Sequence, residues 1–309
     1  MRLLTRSDFD GLACAALLKE VGVIGSIKFV HPKDIQDGKV EVTADDVLAN
    51  VPFVRGCGLW FDHHTSEEER LQLKFQGDSQ TAPSAARVIY RYYTDKKKKQ
   101  QKEVDFSRLD ALVEAVDKSD TAQFTREEID SPQGWVLLSF IMDPRTGLGR
   151  FHDFRISNYQ LMEDLAEACR TRTIDQILAL PDVQERVKVY FEQNERFRKM
   201  IAEHSRVCGN VIVVDLRGKE TIWAGNRFLV YAMYPDQNIS IQTMDGKDRK
   251  NIVFAVGHSI LRRDSKTDVG SLLLHYAGGG HRAVGTCQVD HGEADEVLGQ
   301  LIAKMNHDG

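Results

Sequence analysis

Two features that would place this chain in a specialised class are missing. Its 309 residues contain five cysteines without a Cys-x-x-Cys pair, which argues against a disulfide framework and against a thiolate zinc site. No apolar run reaches the roughly 18 residues of a membrane span, and the first residues become charged before a signal-peptide core could form. We therefore expect a soluble, cytoplasmic protein with reduced cysteines and no membrane partner.

An excess of basic residues is also missing. The formal charge is −5, whereas a protein that holds long nucleic acid needs many Lys and Arg contacts to phosphates. The lysines at 96–99 are typical of a solvated loop or helix surface, and we assign them no function. The negative net charge predicts no groove for long nucleic acid and favours a small anionic substrate held at one local site.

The first half of the chain alternates between strand-like and helical segments. Strands are predicted at 3–4, 27–30, 47–49 and 58–61, and helices at 12–18, 84–93 and 106–116. Alternation of this kind predicts βαβ units and a largely parallel sheet, with the functional site at the carboxyl ends of the strands. The fold class is therefore α/β.

The length is typical of two domains, and the sequence changes character near Val207. We expect an N-terminal parallel-sheet domain at 1–155, a helical connector at 156–205 and a smaller α/β domain at 206–309. The second domain has strand-like segments at 211–215, 239–242 and 252–256, and a helical segment at 268–276.

The run Phe61-Asp62-His63-His64 is the most informative in the chain. A carboxylate beside two imidazoles at a strand end is a compact set of metal ligands, and a helix is expected to start at Thr65. Adjacent histidines also occur as ordinary surface residues, so this motif needs support from others.

Support comes from two acidic groups. Asp8 and Asp10 lie in a loop before a helix, where Gly11 permits a sharp turn, although Asp-x-Asp-Gly is also a common turn sequence. Asp117 and Asp120 follow a hydrophobic segment and would add carboxylates for one or two divalent ions, with Mn²⁺ a good match to mixed Asp and His ligands.

The C-terminal part contributes the run Gly278-Gly279-Gly280-His281. Its backbone N–H groups and the histidine could hold a phosphate, but the run is equally typical of a flexible turn. Arg262 or Arg263 could add a bidentate phosphate contact, while the other lies on the surface.

Together these motifs resemble the DHH phosphoesterases that carry a C-terminal DHHA1 domain. The resemblance covers nearly the whole chain, because the acidic loop, the Asp-His-His run, the second acidic group and the glycine-histidine run occur in that order. It implies a metal-dependent phosphoesterase, usually with Mn²⁺, although Mg²⁺ or another divalent ion is an alternative. The N-terminal domain would hold the metals and the C-terminal domain the substrate across a cleft.

The resemblance also implies roles for individual residues. Asp8, Asp10 and His63 would be metal ligands, His64 would lie close to the phosphate, and Asp62 would be either a ligand or an orienter of imidazole. Either Asp117 or Asp120 would be the later acidic ligand. Arg262, Gly279, Gly280 and His281 would bind the substrate phosphate.

Two positions depart from the family pattern. Arg6 stands where many members have histidine, and Asn50 stands where an aspartate usually bridges the metals. A neutral amide bridges poorly, which puts a second metal in question. His31 could enter the same site as a substitute ligand, or be a loop histidine before proline.

These residues predict hydrolysis of a phosphodiester in a small nucleotide, a dinucleotide or a short oligonucleotide. An exopolyphosphatase-like hydrolase of phosphoanhydrides is the alternative within the family. A rival from another class is a nucleotide or phosphate sensor that has lost turnover, and a third possibility is an unrelated α/β binding domain. A homodimer is possible but is not indicated by any residue.

Overall fold

The structure, a computed structural model, describes residues 1–64, 75–95 and 104–309. The expected helix start at Thr65 and the lysines at 96–99 lie outside the described residues. The chain divides into two compact units: Met1–Gln123 with Pro132–Val189, and Phe124–Ser131 with Tyr190–Gly309. The stretch 156–205, predicted to be a separate connector, is thus shared between both units.

The first unit is built on the predicted parallel sheet, and this prediction is confirmed. Its strands are β1 Arg2–Thr5, β2 Ser26–Phe29, β3 Asp46–Ala49, β4 Leu59–Asp62 and β5 Gly77–Ser79. They pair in parallel in the order β2-β1-β3-β4-β5. The order reverses between β1 and β3, and the crevice at such a switch point is where open α/β sheets bind ligands.

Helices cover this sheet. They are α1 Phe9–Val21, α2 Pro32–Gln36, α3 Ala85–Thr94, α4 Asp110–Asp120, α6 Gly134–Met142, α7 Asn158–Thr171, α8 Ile174–Leu178 and the first part of α9 Pro181–His204, while α5 Arg126–Asp130 belongs to the second unit. Single 3₁₀ turns occur at Ser107–Leu109, Pro144–Thr146 and Leu148–Arg150. The first ten residues of α1 are all buried, which explains why that helix is apolar on every side.

The strand register determines where the functional side chains emerge. Thr5 at the end of β1 pairs with Ala49 at the end of β3, and Ala49 pairs with Phe61 of β4. The residues that follow these three strands therefore emerge at one edge of the sheet. Asp8, Asn50 and His63 are among them.

The second unit holds a mixed six-stranded sheet. Its strands are β6 Ser205–Cys208, β7 Val211–Asp215, β8 Ile239–Asp245, β9 Ile252–His258, β10 Gly279–His281 and β11 Val284–Val289, in the order β10-β11-β9-β8-β7-β6. Only the β7–β8 pair is parallel among these described strands. Its helices are α5, the last part of α9, α10 Leu229–Met233, α11 Val269–Leu274 and α12 Ala294–Asp308, with a 3₁₀ turn at Lys247–Arg249. Alternating apolar residues of β7, β8 and β9 pack with α12 to form its core.

The cysteines and the helix hydrophobicity relate to two of the expectations drawn from composition. All five cysteines are free, and Cys14, Cys169 and Cys287 are buried. Among the described residues, no helix is both long and apolar enough to cross a bilayer.

Candidate metal centre and substrate pocket

Asp10, His63 and Asp120 meet at the carboxyl edge of the parallel sheet, and we call them the Asp–His cluster. Each offers one ligand atom, and these atoms lie within 4.8 Å of one another. His63 Nε2 is 3.4 Å from Asp120 Oδ2 and 3.9 Å from Asp10 Oδ2. The three residues come from α1, the end of β4 and the end of α4, so the fold converges on this point from three directions.

Asp10 is held in place by the start of a helix. Its two carboxylate oxygens accept hydrogen bonds from the backbone N–H groups of Ala85 and Ala86, at 2.9 and 2.8 Å. These groups belong to the first turn of α3, where free N–H donors and the helix dipole favour an anion. Burial nevertheless dominates, and together with the charge of Asp8 it raises the pKa of Asp10 to about 7.

His63 presents an unused lone pair to the cluster. Its Nδ1 lies 3.3 Å from the carbonyl oxygen of Ala82, and because a carbonyl only accepts, Nδ1 carries the proton. Nε2 is then the bare nitrogen, and it has no hydrogen-bond partner among the described residues although it is buried. Burial and the neighbouring His64 lower the pKa of His63, which keeps the ring neutral as a metal ligand requires.

The structure separates the two acidic candidates on α4. Asp120 joins the cluster, and burial with the charge of Asp10 raises its pKa. Asp117 instead accepts hydrogen bonds from the Ser84 hydroxyl at 2.7 Å and from Arg87 Nε at 2.6 Å. Its carboxylate is thus neutralised by an arginine, whereas that of Asp120 faces other acids.

Asp8 and Asn50 lie beside the cluster and bind to each other. Asp8 caps α1 by accepting from the Gly11 N–H at 2.9 Å, and its Oδ1 also accepts from Asn50 Nδ2 at 3.1 Å. Its other oxygen is 3.1 Å from Arg6 Nε. Asn50 is buried and adopts a φ of 56°, and its Oδ1 has no partner among the described residues. Arg6 and Asn50 therefore compensate the charge of Asp8.

Asp62 and His64 form a second arrangement at the same edge. Asp62 is 2 % exposed, and its Oδ1 lies 2.9 Å from His64 Nδ1. This hydrogen bond is the main reason that the pKa of His64 is raised. The contact orients the imidazole and stabilises its protonated form, and in that form Nε2 carries a proton that it can donate at the site.

The donor set fits a divalent cation. His63 Nε2 and Asn50 Oδ1 are buried without a hydrogen-bond partner among the described residues, and the carboxylates of Asp10 and Asp120 crowd together beside them. Crowded acids and an unpaired buried nitrogen are costly unless a cation satisfies them. Imidazole with carboxylates suits Mn²⁺, Zn²⁺ and related ions better than thiolate-loving metals.

The raised pKa values lead to a pH prediction for the metal-free protein. A carboxyl whose pKa is about 7 in the folded state and near 3.8 when unfolded holds its proton only in the folded state between these values. The folded state then binds more protons, so this group's contribution to stability falls as pH rises from about 4 to 7. We expect added Mn²⁺ to raise the melting temperature far more at pH 8 than at pH 5. Calorimetry in EDTA and in Mn²⁺ measures this, and an equal shift at both pH values would contradict it.

Gly11 is needed for close packing rather than for the expected sharp turn. It lies in the first turn of α1, and a Cβ there would be 2.0 Å from the carbonyl oxygen of Arg6. We expect Gly11→Ala to lower the free energy of unfolding by about 1–3 kcal/mol because the site loop must shift. Urea denaturation measures it. Gly25→Ala is the control, since nothing lies within 4 Å of its Cβ position, and an equal loss there would contradict the steric cause.

The predicted phosphate-binding residues lie in the second unit. Gly279–His281 forms the edge strand β10, paired with β11, and not a flexible turn. A Cβ at Gly280 would be 2.2 Å from the Val284 carbonyl oxygen, whereas nothing lies within 4 Å of such an atom at Gly279. Gly280 is therefore required by packing, and Gly279 leaves its backbone open. Arg262 Nε is 3.0 Å from Asp264, and Arg263 donates to the Ile260 carbonyl.

A cavity of about 760 Å³ in the first unit adjoins the Asp–His cluster. The residues lining it include Arg6, Asp8, His31, Arg145 and Tyr159. His31 caps α2 there, with Nδ1 accepting from the Lys33 N–H at 3.1 Å, which turns Nε2 outward as a donor. Asp8 and Arg145 also line the small cavity at the cluster, so the two spaces share a wall.

Sequence reasoning missed most of this cavity. Its far wall comes from 144–159, where two 3₁₀ turns and a loop have no apolar period to detect. The signal that was available is composition, because this stretch is dense in glycine, arginine and aromatic residues. Such a stretch between two helices is typical of a binding loop.

Aspartates and histidines gathered at the switch point of a parallel sheet could hold a divalent ion there. The chain belongs to the DHH family of phosphoesterases. It is similar over 100 % of its length to a pGpG-specific phosphodiesterase of Vibrio cholerae, with 48 % identity, 99 % coverage of that chain and a TM-score of 0.86. It matches no protein-family model and no curated protein.

More distant structures share the fold alone. RecJ of Thermus thermophilus in complex with Mn²⁺ is 11 % identical with a TM-score of 0.55, over 99 % of this chain and 52 % of that one. An exopolyphosphatase-related protein of Bacteroides fragilis is 12 % identical with a TM-score of 0.52, over 99 % of this chain and 92 % of that one.

Proposed function

We propose that this protein hydrolyses the phosphodiester bond of a 5′-phosphorylated dinucleotide, with pGpG as the first substrate to test. The observation that carries the proposal is the 48 % identity over the whole chain to a pGpG-specific phosphodiesterase. Agreement of this extent, with the Asp–His cluster in place, supports a shared reaction more strongly than fold alone does.

The side chains would divide the work as follows. Asp10, His63 and Asp120 would hold the ion, with Asp8 beside them, and we propose Mn²⁺ as the resident metal. A divalent cation here would polarise the phosphoryl group and activate water as the nucleophile. His64, oriented by Asp62, would donate a proton or a hydrogen bond to the departing oxygen.

Residues around the cluster would receive the rest of the substrate. Arg145 lines both cavities, where its Nε is paired with Asp143 at 2.7 Å, and its other guanidinium N–H groups would be offered to the phosphates. We also propose that the 206–309 region contributes to substrate binding through His281, the open backbone at Gly279, the adjoining Gly280, and Arg262. These contacts would favour a dinucleotide over longer chains, because a dinucleotide carries only a few phosphates for them to hold.

The test is turnover by the purified protein with Mn²⁺ on pGpG, pApA, longer oligoribonucleotides and polyphosphate. We expect release of guanosine monophosphate from pGpG, loss of turnover in EDTA, and slower cleavage of longer chains. If polyphosphate were the only one of these substrates to be cleaved, the proposal would be wrong, and the protein would be a phosphoanhydride hydrolase.

The sensor remains a second candidate because Arg6 and Asn50 already compensate Asp8. It predicts that pGpG raises the melting temperature without being cleaved, since any ligand of the native state stabilises it. Multiple turnovers would exclude the sensor.

A further inference from the structure

The 760 Å³ cavity combines aromatic rings with cationic side chains. The residues of its lining that bear on binding are Arg6, Asp8, His31, Arg145, His152 and Tyr159. The lining contains two arginines and two histidines but one acidic residue, whereas the whole chain carries a net charge of −5. A nucleotide has the matching chemistry, because its base is a flat aromatic ring and its phosphate is an anion.

Tyr159 is the ring best placed to receive a base. It is 60 % exposed at the start of α7, an unusual exposure for a large aromatic side chain. Its ring stacks on that of Phe29, with centroids 5.8 Å apart and planes within 11°. Phe29 thus fixes the plane of Tyr159, and the exposed remainder of the ring borders the cavity.

A buried arginine packs against the loop that precedes Tyr159 and donates hydrogen bonds to it. Arg186 is 1 % exposed, and its guanidinium carbon lies 4.0 Å from the centre of the Phe154 ring. It donates to the Ile156 carbonyl and, at 3.2 and 3.3 Å, to Asn158 Oδ1. These contacts hold the loop before α7 in one conformation, which is the condition for a preformed binding site.

The position of the cavity links it to the reaction. It shares Asp8 and Arg145 with the small cavity at the Asp–His cluster, so a group bound in it lies next to the proposed scissile phosphate. The volume is in the range of pockets that enclose small organic ligands, roughly 300–1,000 Å³. One nucleoside with its phosphate is therefore a suitable occupant.

We propose that this cavity, the base pocket, binds one nucleobase of the substrate by stacking on Tyr159, while Arg145 and His152 receive the attached phosphate. The proposal rests on the proposed function for the identity of the substrate, but its geometry belongs to the first unit alone. Tyr159 is then a specificity residue, and the pocket favours purines because a larger ring stacks over more area.

The first experiment compares wild type, Tyr159→Ala and Tyr159→Phe in pGpG hydrolysis with Mn²⁺. Stacking on an aromatic side chain predicts that Tyr159→Ala raises KM by about ten-fold or more and changes kcat by less than about three-fold. Tyr159→Phe keeps the ring and should stay within about two-fold of wild type. Phe191→Ala is the control for loss of an exposed ring, since Phe191 is 44 % exposed and lies outside the pocket.

The second experiment needs no turnover and separates this proposal from the proposed function. Calorimetric titration in EDTA compares guanosine monophosphate with ribose 5-phosphate, which lacks the base. Wild type should bind the nucleotide about ten-fold more tightly, and Tyr159→Ala should bind both ligands alike. No difference between the two ligands in wild type, or an unchanged difference in Tyr159→Ala, would overturn the base pocket even if pGpG is hydrolysed. Failure of wild type to cleave pGpG would overturn only the proposed function.

Discussion

His63→Ala is expected to reduce Mn²⁺-dependent turnover by more than about 100-fold, because residues that merely support metal ligands already cost 10–100-fold when they are replaced. The reason lies in the tautomer. Nδ1 is bound to the Ala82 carbonyl, so Nε2 has a lone pair that faces Asp10 and Asp120 and has no other partner among the described residues.

The measurement is kcat and KM on a phosphodiester substrate, together with metal binding by calorimetric titration. His307→Ala is the matched control, since it removes an exposed histidine at the far end of α12. A melting temperature in EDTA verifies that the variant is folded. Full turnover in His63→Ala would exclude the Asp–His cluster as the metal centre.

The location of the candidate site could be predicted from the sequence because parallel strands end at one edge. Asp8, Asn50 and His63 each follow a short apolar strand, and the pairing of Thr5 with Ala49 and of Ala49 with Phe61 brings those ends together. The periodic pattern was sufficient for this step, since strand ends in a parallel sheet must align whatever the loops do.

The sequence could not separate the two acidic candidates for a metal ligand. Asp117 and Asp120 are three residues apart on one helix, so they lie on neighbouring parts of the same face. Their surroundings differ because Ser84 and Arg87, which are distant in sequence, donate hydrogen bonds to Asp117. Spacing alone does not show which carboxylate a remote arginine will neutralise.

The base pocket could not be predicted from the sequence either, but for a different reason. Tyr159, Arg145 and Arg6 come together only through loops without a regular period, and the buried Arg186 that supports the wall reads in the sequence as one more charge on a polar helix. Composition can indicate such a region, but tertiary contacts decide which of its side chains face a cavity.

Exchanging either acid of α4 for its amide should produce opposite effects on stability. In EDTA at pH 8, Asp120→Asn removes a charge that faces Asp10 and Asp8, so we expect the melting temperature to stay or rise. Turnover should fall by more than about 100-fold, as for His63→Ala. Asp117→Asn instead weakens an ion pair to Arg87 and should lower the free energy of unfolding by about 1–2 kcal/mol.

The pair of variants decides which acid is the ligand, because each serves as the other's control. Asp117→Asn should keep Mn²⁺ affinity within about three-fold, since its carboxylate is directed at Arg87 and not at the cluster. Stability is measured by urea denaturation in EDTA, and Mn²⁺ affinity by calorimetric titration. If Asp117→Asn abolished Mn²⁺ binding while Asp120→Asn preserved it, the ligand would be Asp117, and α4 would have to release Arg87 to present it.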